Sequence, residues 1–460
     1  MNLSDVFSDL ISNKALTEIY KKEKLTQISG LCGSSFSFVI SNFFKSNKGT
    51  IILVLSDKEK SAYLFNELQS ILGISQIHYF PESARTPYQS EEVSNASVQE
   101  RAELLNIIGK KIKDRIIVTT TSAICEKVVA KTLLEKNTLE LKSGEKLSVD
   151  FLMEFLFESG FERVDFVYEP GHFSIRGGIV DVFSFSSQVP YRIEFFGDEI
   201  ESIRSFDTTS QLSLKNFDFI TLIPDISKGE MVESVQSLIS YLPTDSTIWF
   251  DDYNRVLNNL DLHFQKAQKI YNQLKETIQK PPHVLFLSPK DAAKEFSQFQ
   301  LFEFDSADKK ENSVLFNQSP QPSFNKNFEL LFQNLSENIK KGYKNFFLTE
   351  SVKQAERIQS IFNDLGLMKH YGGDISKLFE PAWLNIHEGF IDHELKIAAY
   401  TDHQIFERYH KFQLRSEAYK SKEALSLKEI QNLNPGDFIT HIDHGIGRFA
   451  GLEKMMVNGR

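Results

Sequence analysis

The chain reads Leu25-Thr26-Gln27-Ile28-Ser29-Gly30-Leu31-Cys32-Gly33-Ser34-Ser35-Phe36-Ser37 near its start. An apolar run followed by a glycine-containing turn and a helical pattern is typical of a strand-to-helix connection in a parallel sheet. Three further apolar runs predict strands at Thr50 to Leu55, Ile77 to Phe80 and Ile116 to Thr120. A helix between two of them carries its apolar residues on one face, namely Ala62, Phe65, Leu68 and Leu72. This region is therefore predicted to be an open α/β sheet.

The turn after the first strand lies where a P-loop NTPase places Gly-x-x-x-x-Gly-Lys-Ser/Thr. The residues that stand there are Gly30, Gly33, Ser34, Ser35, Phe36 and Ser37. Ser35 replaces the second glycine, and Phe36 replaces the lysine that neutralises the β and γ phosphates. Because phenylalanine offers neither a charge nor a hydrogen-bond donor, we predict a degenerate phosphate loop without ATP hydrolysis, with Phe36 packed inward.

A second motif has the form of the apolar strand that ends in a magnesium-binding acid, Ile248-Trp249-Phe250-Asp251-Asp252. Without a phosphate-binding lysine, a metal at Asp251 has nothing to bridge, and Asp252 is better placed to cap the helix that follows. Gly109-Lys110-Lys111 offers no phosphate site either, because it lies at a helix end before a strand.

Composition narrows the possible classes of protein. The 460 residues carry 52 Lys and Arg against 62 Asp and Glu, a formal net charge of -10, which excludes a globally basic surface for nucleic acid. Only two cysteines are present, so neither a disulfide framework nor a cysteine-rich zinc site is expected. No signal peptide or membrane span is recognisable, and a cytoplasmic protein is expected.

Changes of pattern along the chain predict several domains. A helix signal at Ser148 and runs of period-two alternation indicate an inserted α+β domain over residues 138–222, within an α/β module formed by 1–137 and 223–305. The polar stretch 306–325 is predicted to be a linker. The later parts are a further α/β domain over 326–407, a helical connector over 408–432 and a β pattern over 433–460 that is too short to close a small barrel.

One strand of the inserted domain has a distinctive polar face. In Tyr191-Arg192-Ile193-Glu194-Phe195-Phe196, alternation places Tyr191, Ile193 and Phe195 toward the core and the other three side chains outward, where Arg176 could join them. A solvated face with a weak ion pair is the plain interpretation. The exposed Phe196 beside arginine weighs against that interpretation and is consistent with a protein interface. Truncating Arg192 or Phe196 is then expected to leave stability nearly unchanged.

The segment from Pro170 to Asp207 closely resembles the transcription-repair coupling factors (Mfd) of bacteria, whose N-terminal third is similar to the excinuclease protein UvrB without its ATPase. Two motifs carry the resemblance, Pro170-Gly171-x-Phe173-x-x-Arg176-Gly177-Gly178 and His441-x-x-His444-Gly445-Ile446-Gly447-Arg448. It covers nearly the whole chain. The implied fold is α/β, with a degenerate P-loop core of the RecA or helicase type, the inserted domain, a further α/β domain and the start of a small β-barrel.

The resemblance also implies a function. The inserted domain would recruit the excinuclease protein UvrA through Arg176, Arg192, Glu194 and Phe196, and residues 433–460 would begin an RNA-polymerase-interacting domain. This part of the protein would be a non-catalytic adaptor without cofactor, while ATP, Mg²⁺ and most DNA contacts would belong to motor domains outside this sequence. The loop after Tyr79 to Ser83 leaves no room for the long hairpin with which UvrB probes damaged DNA.

Alternatives remain at this stage. The chain could be an active helicase of the UvrB type, which Phe36 and the short loop oppose, or a structural protein, which leaves Phe196 unexplained. His441, Asp443 and His444 supply at most three metal ligands with no fourth nearby, so a β-turn is favoured over a zinc site.

Overall fold

The computed structural model describes residues 24–83, 88, 95–109, 114–226, 229–274, 280–305, 313–408, 436–441, 445–448 and 450. The chain divides into two compact units, 1–412 and 413–460. Within the described ranges, no helix has both the length and the hydropathy needed to cross a bilayer.

The first module alternates strands and helices up to the inserted domain. Its elements are β1 (Leu25–Ser29), α1 (Ser35–Asn47), β2 (Thr50–Leu55), α2 (Lys58–Leu72), β3 (Ile77–Phe80), α3 (Asn95–Gly109), β4 (Arg115–Thr120), α4 (Thr121–Cys125), β5 (Val128–Val129) and α5 (Lys131–Lys136). The four strands predicted from apolar runs are confirmed to within one residue. Gly109 ends α3 before β4, at the helix end where the sequence predicted it.

The inserted domain follows as a mostly antiparallel unit. Its elements are β6 (Leu139–Lys142), α6 (Val149–Glu158), β7 (Glu162–Arg163), β8 (His172–Arg176), β9 (Ile179–Val182), β10 (Tyr191–Phe196), β11 (Glu199–Phe206), β12 (Ser213–Asn216) and β13 (Phe219–Leu222). Six strands form one sheet in the order β12-β11-β10-β9-β8-β7, while β6 pairs with β13 where the chain enters and leaves the domain. The Ser148 hydroxyl accepts from the Phe151 amide at 3.2 Å and caps α6, as predicted.

The chain then returns to the first module and completes its sheet. The elements are β14 (Val235–Gln236), β15 (Thr247–Phe250), α7 (Tyr253–Gln273), α8 (Pro282–Leu285), α9 (Pro289–Phe296), β16 (Gln300–Glu303) and β17 (Val314–Leu315). The seven strands run parallel in the order β17-β1-β16-β15-β2-β4-β3. Every residue of β2 and β4 is buried, as expected for a parallel sheet covered on both faces. The predicted α/β class is confirmed.

The further α/β domain has its own core. Its elements are β18 (Gln318–Pro320), α10 (Phe328–Lys340), β19 (Lys344–Leu348), α11 (Val352–Asp364), β20 (Glu380–Ala382), β21 (Phe390–Asp392), β22 (Ile397–Thr401) and α12 (Asp402–Ile405). The sheet order is β18-β21-β22-β19-β20. A buried polar triad links α10 to the sheet, because the Asn338 amide donates to Asn345 at 2.9 Å and to the Tyr400 hydroxyl at 2.7 Å.

The stretch 306–325 is not an irregular linker throughout, as the sequence suggested. Its described part contains β17, which extends the first sheet, and β18, which opens the next one. Strands of two and three residues with polar side chains carry too little pattern to be recognised from sequence.

The second unit contributes a hairpin of β23 (Phe438–His441) and β24 (Gly445–Arg448). The predicted connector over 408–432, apart from Arg408, and the candidate ligands Asp443 and His444 lie outside the described residues. So does most of the loop after Ser83.

Candidate protein-interaction site

Strand β10 presents alternate side chains to opposite faces of its sheet. Phe195 is 8% exposed and packs in the domain core with Ile193, whereas Phe196 is 80% exposed. The pairing with β11 shifts by one residue between Glu194 and Phe195. Because the extra residue of this β-bulge lies in β11, the alternation along β10 is unbroken. The predicted face assignment is confirmed.

Arg192 is held by a buried carboxylate. Its Nε lies 2.7 Å from Asp181 Oδ1 and its Nη2 lies 2.9 Å from Asp181 Oδ2, a bidentate pair, and Asp181 is only 1% exposed. The guanidinium also lies 4.5 Å from the ring centre of the buried Phe206. Hydrogen bonding to Asp181 raises the pKa of Arg192. The expectation that truncating Arg192 would leave stability unchanged assumed an exposed side chain. Because this side chain is largely buried and neutralises a buried charge, we expect its truncation to lower stability instead.

Arg176 reaches the same carboxylate from β8. It pairs with Asp181, and its guanidinium lies 5.4 Å from the ring centre of Phe166, which is 59% exposed. The turn after Arg176 passes close to β10, since a Cβ at Gly178 would lie 2.8 Å from the Phe195 carbonyl oxygen. Glycine at this position therefore brings the Arg176 end of the hairpin beside the Phe196 end of β10.

Glu194 belongs to a second ion pair on this face. It pairs with Arg204 of β11 and accepts from the Ser202 hydroxyl at 2.7 Å. That hydrogen bond, together with the charge of Arg204, holds the pKa of Glu194 below its ordinary value. Arg192 and Arg204 are direct partners in the strand register, and each faces a carboxylate rather than the other cation.

The four residues predicted from the motif thus lie on one sheet face with three partners that sequence reasoning missed. We define the docking face as these seven residues, Phe166, Arg176, Asp181, Arg192, Glu194, Phe196 and Arg204. Alternation along β11 could have indicated Arg204, whereas Phe166 lies in a loop and gave no local signal. Exposed rings beside ordered, paired charges are the composition of protein-binding hot spots.

In the degenerate phosphate loop, the phenylalanine at the lysine position packs inside the fold. Phe36 is buried, stacked on Phe304 with ring centres 3.3 Å apart and tilted against Trp249. The prediction that Phe36 packs inward is confirmed. Gly30 and Gly33 have positive φ angles of 79° and 52°, and the remaining loop positions, Ser34, Ser35 and Ser37, are buried.

The two acidic residues that follow β15, Asp251 and Asp252, both accept hydrogen bonds from within the fold. Asp252 accepts from the Arg255 amide at 2.9 Å and caps α7, as predicted. Asp251 is buried and accepts from the Ser56 amide at 2.9 Å and from Arg255 Nη2 at 3.1 Å. Among the residues that the structure describes, no cluster of three or more His, Cys, Asp or Glu side chains is placed to hold a metal ion.

Comparison with known proteins agrees with this interpretation of the chain. The family model of the UvrB interaction domain matches residues 139–227, and that of the CarD-like/TRCF RID domain matches residues 433–460. The transcription-repair-coupling factor of Bacillus subtilis is 24% identical over 99% of this chain and 44% of its own length. Those of Staphylococcus haemolyticus and Haemophilus influenzae are each 22% identical, over 98% and 92% of this chain.

The chain spans less than half the length of these relatives, 44% for the first two and 42% for the third. The similarity extends over nearly all of this chain and includes both motifs that first suggested it. The resemblance predicted from the motifs is confirmed, and the chain is similar to the transcription-repair-coupling factors over nearly its whole length.

Proposed function

We propose that this chain is the adaptor portion of a transcription-repair-coupling factor and that the docking face recruits UvrA. The observation that carries the proposal is Phe196, an aromatic ring 80% exposed at the end of a strand whose own charged residues, Arg192 and Glu194, are both in ion pairs. Exposing so large an apolar surface gains nothing for folding, and burying it against a partner contributes roughly 1.5 to 3 kcal/mol.

The charges of the docking face suit a specific protein partner better than nucleic acid. Its three arginines are opposed by two carboxylates, each within an ion pair. Paired charges of this kind fix orientation and select a partner of complementary pattern. A DNA-binding surface would instead present unpaired lysines and arginines toward phosphate. DNA contacts are proposed to lie mainly in motor domains of the whole protein.

The rest of the proposed function is inferred from the similarity to the transcription-repair-coupling factors. Residues 433–460 would bind RNA polymerase as the beginning of its interacting domain, and the whole protein would be an ATP-dependent DNA translocase of the bacterial cytoplasm. This portion would act without ATP or Mg²⁺, since Phe36 fills the space near the degenerate phosphate loop with an apolar ring. That packing also opposes the alternative of an active UvrB-like helicase.

Titration of purified UvrA with the 460-residue chain tests the proposal. We expect a saturable complex that UvrB displaces, because the family resemblance implies that both proteins use one surface of UvrA. A complex that forms equally well in the presence of saturating UvrB would contradict the proposed surface, and no complex at all would contradict recruitment.

A further inference from the structure

The degenerate phosphate loop is occupied by another part of the same chain. A segment of the further α/β domain, residues 385–389, lies against it within the first compact unit. The Ser34 amide donates to the Glu388 carbonyl oxygen at 3.2 Å, and the Glu388 amide donates to the Ser34 hydroxyl at 2.8 Å. A Cβ at Gly33 would lie 2.6 Å from the Gly389 carbonyl oxygen, so the two backbones approach as closely as glycine allows.

A buried carboxylate from α2 lies beneath this contact. Glu67 is 4% exposed and accepts hydrogen bonds from the hydroxyls of Ser34 and Ser37 and, at 2.9 Å, from the His387 amide. Glu67 therefore joins the degenerate phosphate loop to residues 385–389, which we call the docked segment. One turn along α2, the Ser70 hydroxyl accepts from the Asn385 amide at 2.9 Å.

We propose that the degenerate phosphate loop has become a latch that holds the further α/β domain against the first module, and that Glu67 closes it. In a working P-loop, backbone amides bind the phosphates of a nucleotide and a hydroxyl binds its Mg²⁺. Here the Ser34 amide binds a main-chain carbonyl, and the loop hydroxyls donate to a carboxylate from within the fold. The loop thus keeps its binding chemistry but takes a protein ligand.

The latch is sensitive to protonation. Burial raises the pKa of Glu67 from 4.5 to about 7, against the hydrogen bonds from Ser34, Ser37 and His387, and the charge of Glu388 acts in the same direction as burial. Other titratable groups at this junction include Cys32, whose thiol pKa is raised by burial and by the charge of Glu388. They also include His387, whose ring stacks on Tyr63 at 3.5 Å, and His403, which stacks on His387 at 5.8 Å and lies beside Asp402.

The sign of the pH effect follows from linkage. If Glu67 returns to its ordinary pKa when the latch opens, the closed state binds the proton more tightly. The equilibrium constant for closing the latch is therefore largest below about pH 4.5. It falls by up to about tenfold per pH unit between 4.5 and 7 and is constant above 7.

Hydrogen exchange of residues 385–389 in the full chain measures the latch directly, because three of these amides donate to side chains of the first module. Glu67→Ala removes the shared acceptor, and we expect the protection of the His387 and Glu388 amides to fall at least tenfold. Protection in the central strand β2 should stay unchanged. Ser70→Ala, at a less buried position, should lower protection at Asn385 alone.

Glu67→Gln separates the shape of the latch from its charge. The amide oxygen can accept from Ser34 and His387, and the amide nitrogen can donate to Ser37, whose hydroxyl reverses its role. We expect the latch to stay closed in this variant. Once exchange rates are corrected for the intrinsic effect of pH, the protection of residues 385–389 should no longer change between pH 4.5 and 7. Glu59→Gln, an exposed position on the same helix, should behave as the unmodified chain.

Two results would overturn the proposal. Unchanged protection of residues 385–389 in both Glu67→Ala and Ser70→Ala would mean that the further α/β domain fixes this segment by itself. An equal pH dependence in Glu67→Gln would assign the proton to His387 or His403 instead of Glu67.

Discussion

Phe195 and Phe196 are neighbours in the chain with opposite environments. The difference between them shows which face of β10 is the core and which faces solvent. Phe195 packs in the core of the inserted domain, whereas Phe196 stands in solvent at the end of β10. We expect Phe195→Ala to cost about 3 to 5 kcal/mol of folding free energy, as for other buried phenylalanines. Phe196→Ala should change the melting temperature little. Thermal melts of the two variants check this, and the reverse order would mean that the strand register is off by one.

Arg192 lies on the docking face and is also expected to stabilise the fold. Arg192→Ala would leave the buried Asp181 carboxylate with Arg176 as its remaining ion-pair partner. We expect a loss of about 1 to 3 kcal/mol, the usual cost of an unsatisfied buried polar group. Denaturant unfolding measures it, with Arg163→Ala on the exposed strand β7 as control. An unchanged midpoint for Arg192→Ala would show that Asp181 needs only one cation.

At the scale of elements, strands rich in branched apolar residues could be predicted closely because burial on both faces leaves a continuous apolar run. The helix caps at Ser148 and Asp252 were equally predictable, since capping depends on residues three positions apart. The contacts of the docked segment could not be predicted. His387 and Glu67 are 320 positions apart, and neither residue type indicates a partner so distant in sequence.

The loop between β1 and α1 leads to a prediction about nucleotides. Because Phe36 is stacked on Phe304 and Ser34 binds the docked segment, we expect no saturable binding of a fluorescent ATP analogue at micromolar concentrations. Fluorescence anisotropy with and without Mg²⁺ measures this. Magnesium-dependent binding that disappears in Asp251→Ala would contradict the degenerate assignment and favour a working site.

At the scale of the whole molecule, the chain combines a first module with Phe36 at the lysine position of its phosphate loop, a domain docked on that module, and an inserted domain with the docking face. The net charge of -10 and the paired arginines favour protein partners over DNA. The four motif residues of the docking face were predictable from the sequence as a group. That Asp181 and Arg204 pair with these residues could be read only from the three-dimensional register of β9, β10 and β11.

The most direct test of the central claim is the affinity of the full chain for UvrA, measured for Phe196→Ala and for a matched control, Phe219→Ala. Phe219 is also an exposed phenylalanine of the inserted domain, at 56%, but it lies in the separate two-stranded β6-β13 sheet and is not one of the seven residues of the docking face. We predict that Phe196→Ala weakens binding by more than about 1 kcal/mol, or at least about fivefold, while Phe219→Ala leaves it unchanged. Equal affinity of both variants and the unmodified chain, with all three folded, would contradict recruitment through this face.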